Sequence, residues 1–151
     1  LRGEVYRFVR CPELGRKVAV DDNTHEIKTR RDLASRAKLA RWLRVYAHVQ
    51  LNARLMELSE EHHLPFKRCF IRSQRTRWGT CSTKGNISLN WRLIMAPPYV
   101  TDYVILHELM HTKVLNHSQK FWVLLRSICP GCQEAIQWLN ANPPSELAGW
   151  I

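Results

Sequence analysis

Apolar residues recur at helical spacing through the first half of the chain. Leu33, Ala37, Ala40, Leu43, Ala47, Leu51, Leu55 and Leu58 form one stripe, which predicts a long helix from about Arg30 to His62. Arg44 falls inside the stripe and must snorkel or pair. Trp42, Val45 and Tyr46 lie off it and suggest a second packed face. Thr29 to Asp32 reads as a capping box at the helix start, and Pro65 breaks the helix. Adjacent His62 and His63 cannot face one metal from a helix and read as surface residues. Residues 1–28 carry two short β-like pieces, Val5 to Val9 and Lys17 to Val20, before a polar turn at Asp21-Asp22-Asn23. Past Pro65, Phe66 to Arg72 reads as a strand. Arg77 to Ser82 and Asn86 to Asn90 form two arms around Thr83-Lys84-Gly85, a β-hairpin signature. Trp91 to Met95 extends away from it. Pro97-Pro98 opens a helix that is apolar nearly all round (Val100, Tyr103, Val104, Leu106, Leu109, Met110), so it is buried. Ser118 caps a helix through Ile128, Pro130-Gly131 ends it, and a last helix runs from about Cys132 to Asn140. From Asn142 the chain reads as a tail without a core pattern. The pattern predicts one α+β domain over 1–151.

The buried helix spends polar positions on His107, Glu108 and His111, an H-E-x-x-H. Two histidines four apart stack on one helix face and can share one tetrahedral zinc ion. Glu108 is placed to act on water rather than to ligate, the general-base position of a metalloprotease. A zinc site needs a third protein ligand. His117 is one candidate. A continuous helix would carry it about 15 Å along the axis, so the helix must end soon after His111 and the chain turn back. Metzincin peptidases have this ten-residue spacing with a Gly where Val114 stands here; Asn116 is the residue expected to make the turn. Glu134, on a later helix, is the other candidate. The bland alternative, two satisfied core histidines, does not explain a third His just past a turn.

Charge and cysteine content narrow the picture. There are 23 basic against 13 acidic residues, a formal charge of +10. Lys28 to Arg54 holds eight Lys or Arg and one acid, Asp32; Lys67 to Arg77 holds five and no acid. Such a surface attracts nucleic acid, nucleotides or acidic polypeptides, unless it only confers solubility. Five cysteines at uneven spacing do not make a secreted disulfide framework. Cys129-Pro130-Gly131-Cys132 is a C-x-x-C without a second pair to complete a four-cysteine site. No apolar run reaches membrane-span length and no leader pattern opens the chain, so no membrane contact and a cytoplasmic location are expected.

From Arg75 to Leu139 the chain resembles the YgjP-like metallopeptidases, a minimal-zincin family related to WLM and SprT-like proteins. The resemblance rests on Arg77-Trp78-Gly79-Thr80-Cys81-Ser82, Ile87 to Leu93, Ala96-Pro97, Asp102-Tyr103-Val104, His107-Glu108-Leu109-x-His111, Asn116-His117-Ser118, Phe121-Trp122 and Trp138-Leu139. It departs from the family pattern at Thr80, where Ser is commoner, and in the Cys129–Cys132 pair. The resemblance implies a zincin-like α+β fold: a small antiparallel sheet against a long helix and an active-site helix, with C-terminal helices. It implies one Zn2+ per chain on His107, His111 and His117, with Glu108 as general base, and disfavours Glu134 as a ligand.

The expected activity is hydrolysis of peptide bonds in a peptide or protein substrate. Arg77, Tyr103 and Asn116 are candidates to stabilise an oxyanion. Asn90 or Asn116 could orient the histidines, and the strand Asn86 to Asn90 could pair with an extended substrate. Three rival readings are a metal-dependent nucleotide phosphate hydrolase using Arg75 and Arg77, a DNA-associated SprT-like protease, and a non-enzymatic fold around a structural zinc.

Overall fold

The computed structural model describes residues 1–15, 17–30, 33 and 35–147. Six strands lie in two three-stranded sheets among these residues. The first sheet is built from β1 (Arg7–Arg10), β2 (Val18–Asp21) and β3 (Glu26–Thr29) in the order β1-β3-β2. β3 pairs parallel with β1 and antiparallel with β2. The Asp21 carboxylate accepts from the backbone N–H of Asn23 and Thr24 at 3.2 Å each and meets Lys28 Nζ at 3.0 Å, which closes the polar turn before β3.

The helix α1 (Arg36–Glu61) begins at Ser35, whose Oγ accepts from Lys38 N. The expected start was six residues earlier, in a capping box at Thr29 to Asp32. Thr29 instead sits buried in β3, and Asp32 lies outside the described residues. The stripe holds from Leu43 on: Leu43, Ala47, Leu51, Leu55 and Leu58 are buried, joined by Trp42, whereas Ala37 in the first turn is exposed. Of the second face, Tyr46 stacks on Trp42 at 5.2 Å while Val45 is exposed. Arg44 snorkels as expected, its guanidinium 5.4 Å from the Trp91 ring centre. His63, at a left-handed φ of 53°, turns the chain out of α1.

The second sheet carries β4 (Arg68–Arg72), β5 (Gly79–Cys81) and β6 (Asn86–Asn90) in the order β4-β6-β5. The β5–β6 hairpin forms as expected, but β6 also pairs parallel with β4. The expected single antiparallel sheet is therefore two mixed ones. The reason is burial: β6 is the most buried of the three strands, with Ile87 and Leu89 on one face leaving no exposed surface, and it takes the centre, where neighbours flank both its edges. Trp91–Met95 does not extend but coils into a short 3-10 helix, because the Asn90 side chain caps it by accepting from Arg92 N at 3.2 Å.

Four more helices follow: α2 (Pro98–Met110), α3 (Gln119–Ile128), α4 (Cys132–Ala141) and a short α5 (Pro144–Leu147). α2 lies against α1, α4 and β5. Arg54 of α1 grips Asp102 of α2 through two bonds, Nε to Oδ1 at 2.8 Å and Nη2 to Oδ2 at 2.9 Å. The C-terminal segment is not a loose tail: Leu147 is 1% exposed and part of the core. Among the described residues no helix is long and apolar enough to cross a membrane.

Candidate metal centre

α2 presents His107 and Glu108 from its last turn and stops at Met110. Two i→i+3 bonds, Thr112 N to Leu109 O at 2.9 Å and Lys113 N to Met110 O at 3.0 Å, tighten the end. The Thr112 hydroxyl also donates to Leu109 O at 2.8 Å, so a carbonyl left over at the helix terminus is satisfied. His111 falls on the C-cap with right-handed φ and ψ. The chain then doubles back and delivers His117 opposite the helix. Asn116 is not the left-handed residue expected at this turn. Among the described residues the non-glycine positions with positive φ are Arg2, His25 and His63. The succession of tight right-handed turns reverses the chain without one.

The three imidazoles converge. His117 Nε2 lies 3.0 Å from His107 Nε2 and 3.1 Å from His111 Nε2. His111 Nδ1 lies 3.1 Å from Val114 O, which can only accept. The proton therefore sits on Nδ1, and Nε2 turns a lone pair toward the other two rings. Burial, followed by the neighbouring imidazoles, pushes His107 down to about 4, and burial lowers His111 as well. Neutral imidazoles with lone pairs crowded at one point are the donor set a divalent metal takes. His107 Nδ1 is buried and has no partner. These three histidines form the one metal-capable cluster found among the described residues, and Glu134 does not join it; it is exposed on α4.

Phe121, from the first turn of α3, forms the floor. It is fully buried, with its ring centre 5.0, 4.7 and 4.9 Å from those of His107, His111 and His117. Trp122 stacks on His117 at 5.7 Å. In the sequence Phe121 stood only in the Phe121-Trp122 element of the resemblance, with no role at the metal centre; its place four residues beyond His117 was the available signal.

Glu108 is 7% exposed and lies against β5. Burial raises its carboxyl to about 7, with the Arg77 charge pulling the other way. The approach requires Gly79: a Cβ there would meet Glu108 Cγ and Oε1 at 2.7 Å. Gly79 stood in the sequence only as a member of the Arg77–Ser82 motif, with no role given to it, although a glycine inside a strand marks a close approach. A cleft of about 350 Å³ opens over the site, lined by Arg77, Thr80, Cys81 and Leu115 beside the histidines and Glu108.

The other expected contacts stand apart. Asn90 is fully buried and uses its carboxamide to donate to Gln74 O at 2.8 Å and Arg77 O at 3.0 Å, so it fixes the loop carrying Arg77 rather than a histidine. Tyr103 is buried behind the site, its ring 5.8 Å from that of His107. Asn116 is exposed and does not line the cleft. Cys129 and Cys132 are buried free thiols, and Cys132 Sγ donates to Cys129 O at 3.0 Å.

Two solved structures share this fold. The metallopeptidase zymogens abylysin, from Pyrococcus abyssi, and jannalysin, from Methanocaldococcus jannaschii, each superpose with a TM-score of 0.53 at 21% identity. The likeness covers 60% of this chain and 93% and 94% of theirs. No curated protein matches the sequence. The family model of the YgjP-like metallopeptidase domain matches residues 1–142, so it reaches through the first 74 residues that the motif resemblance left uncovered, and the chain belongs to the YgjP-like metallopeptidase family.

Proposed function

We propose that the chain is a zinc-dependent peptidase whose metal is held by His107, His111 and His117 and whose general base is Glu108. The observation that carries this reading is the convergence of three imidazole Nε2 atoms beside a buried carboxyl poised near neutrality. Zinc in such a site supplies Lewis acidity, polarising a carbonyl and acidifying water. Glu108 takes the proton from the attacking water and passes it to the leaving amine, and a carboxyl near 7 suits both transfers at neutral pH. Arg77, on the cleft rim, is the cation placed to meet developing negative charge on the scissile carbonyl.

Substrate pairing shifts from the strand expected earlier. β6 is central, with both edges occupied, whereas β5 lines the cleft and has a free edge among the described residues. An extended substrate adds to β5, which brings its backbone past Glu108 and the histidines.

The test is metal content by elemental analysis together with peptide cleavage. One zinc per chain is expected in wild type and in Glu134→Ala, and none in His117→Ala. Glu108→Gln should keep the zinc and lose turnover. Zinc absent from wild type after loading at neutral pH would overturn the reading, and nucleotide hydrolysis without peptide cleavage would select the phosphate-hydrolase rival.

A further inference from the structure

A second groove lies on the far side of the β4–β5–β6 sheet. β4 is the other edge strand, and among the described residues nothing pairs with its outer side. α1 runs alongside, and between them opens a groove of about 520 Å³. Its apolar part is Val45, Val49, Ile71 and Trp91. Val45 and Val49 are 63% and 60% exposed although they sit on the longest helix of the molecule. Met56, 55% exposed, continues the same helical row.

Around this groove stand guanidiniums without carboxylates. Arg44 and Arg72 line it, and Arg92 lies beside them. None of the three has a carboxylate partner among the described residues. Arg92 Nε is buried with no hydrogen-bond partner, and burial, with a smaller contribution from the nearby Arg44, lowers its affinity for its proton. Three cations gathered without anions repel one another, and an incoming carboxylate relieves that repulsion.

We propose that this groove docks an extended polypeptide segment in which acidic and aliphatic residues alternate, added as a fourth strand on β4. The three requirements come from separate features. An unpaired strand edge binds main chain. Ile71 and Arg72 are successive on β4 and point to opposite faces of the sheet, so on an added strand carboxylates lie beside Arg72 and aliphatic groups beside Ile71 and the exposed valines, with exposed Arg44 adding charge next to the valines. Single-stranded nucleic acid fits less well. It needs open aromatic faces for its bases, but Arg44 and Arg92 cover Trp91 at 5.4 and 4.8 Å, and Arg72 covers Phe70 at 5.0 Å. A strand added outside β4 lies three strand spacings, roughly 14 Å, from β5, so the groove can hold a partner or a remote part of a substrate while the metal cleft stays open.

Fluorescence anisotropy of a labelled decapeptide alternating Glu and Val tests the proposal. It is titrated with the full chain carrying Glu108→Gln, so that binding is read without cleavage and independently of the reaction. An oligothymidylate of equal charge is the second probe. Binding of the peptide is expected to weaken about tenfold or more in Arg44→Glu/Arg72→Glu, and by a similar factor when alternate amides of the peptide are N-methylated. Circular dichroism checks that the double variant folds; if it does not, the N-methylated peptide decides. Failure of the peptide to bind, binding within twofold after either change, or tighter binding of the oligonucleotide with the same arginine dependence would each overturn it.

Discussion

A methyl group at Gly79 has nowhere to go. It would come within 2.7 Å of Glu108 Cγ, which is held by α2 and is not a free end, as well as of Oε1. Either β5 or the carboxyl must move. Gly79→Ala is therefore expected to keep its metal and lose about a hundredfold in kcat/KM, the scale that a displacement near 1 Å exacts from a positioned group. Unchanged turnover, with zinc content and melting temperature also unchanged, would show that the contact does not position Glu108. Asp21 offers a residue-scale test of the first sheet. Lys28 and the Thr24 N–H hold its carboxyl down to about 2. A folded-state value below the ordinary 3.8 stabilises the fold above that pH and stops doing so as pH falls through 2. Asp21→Asn should thus be less stable than wild type at pH 6, with the difference vanishing near pH 2 in acid-unfolding titrations. The gathering of His107, His111 and His117 was the most legible part of the candidate site, since they stand out in the sequence by type and spacing. Gly79 and Phe121 were not, because close approach and ring contact depend on how β5 and α3 come to lie beside α2.

At the scale of elements, the centre is assembled from α2, the reversal after it and the first turn of α3. All three histidines rest on Phe121, which has no exposed surface. Phe121→Ala removes that floor. It should cost about 3–5 kcal/mol of stability, the usual range for a buried Phe, and should also weaken metal affinity, since the three proposed ligands lose their common support. A denaturant titration and a competitive chelator titration measure the two effects; a stability loss with unchanged affinity would mean that the metal alone orders the rings. Helices were readable from the sequence because their stripes are long and their breakers explicit. Strand pairing was not. The hairpin follows from Thr83-Lys84-Gly85, but the insertion of β6 between β4 and β5 goes with the full burial of Ile87 and Leu89 on one face of the strand, which depends on tertiary packing. β3 escaped notice because only Ile27 among its four residues is aliphatic.

For the whole molecule, all three proposed ligands fall within eleven residues, His107 to His117. A metal there closes one short loop. It cannot staple distant parts of the chain, and the long-range ties are made by packing and by Arg54 with Asp102. The family's metal should therefore not be required for folding, unlike in a zinc finger, where the ion supplies the folding free energy. Stabilisation should instead follow mass action: free zinc at a hundredfold excess over its Kd adds about 2.7 kcal/mol, a rise of several degrees in Tm at this size. Calorimetry of chelated protein should show one cooperative transition at lower temperature, shifting upward with each increment of zinc, and His117→Ala should not respond. A chelated protein with no transition and an unfolded circular dichroism spectrum would show instead that the metal helps to build the core between α1, α2 and the second sheet.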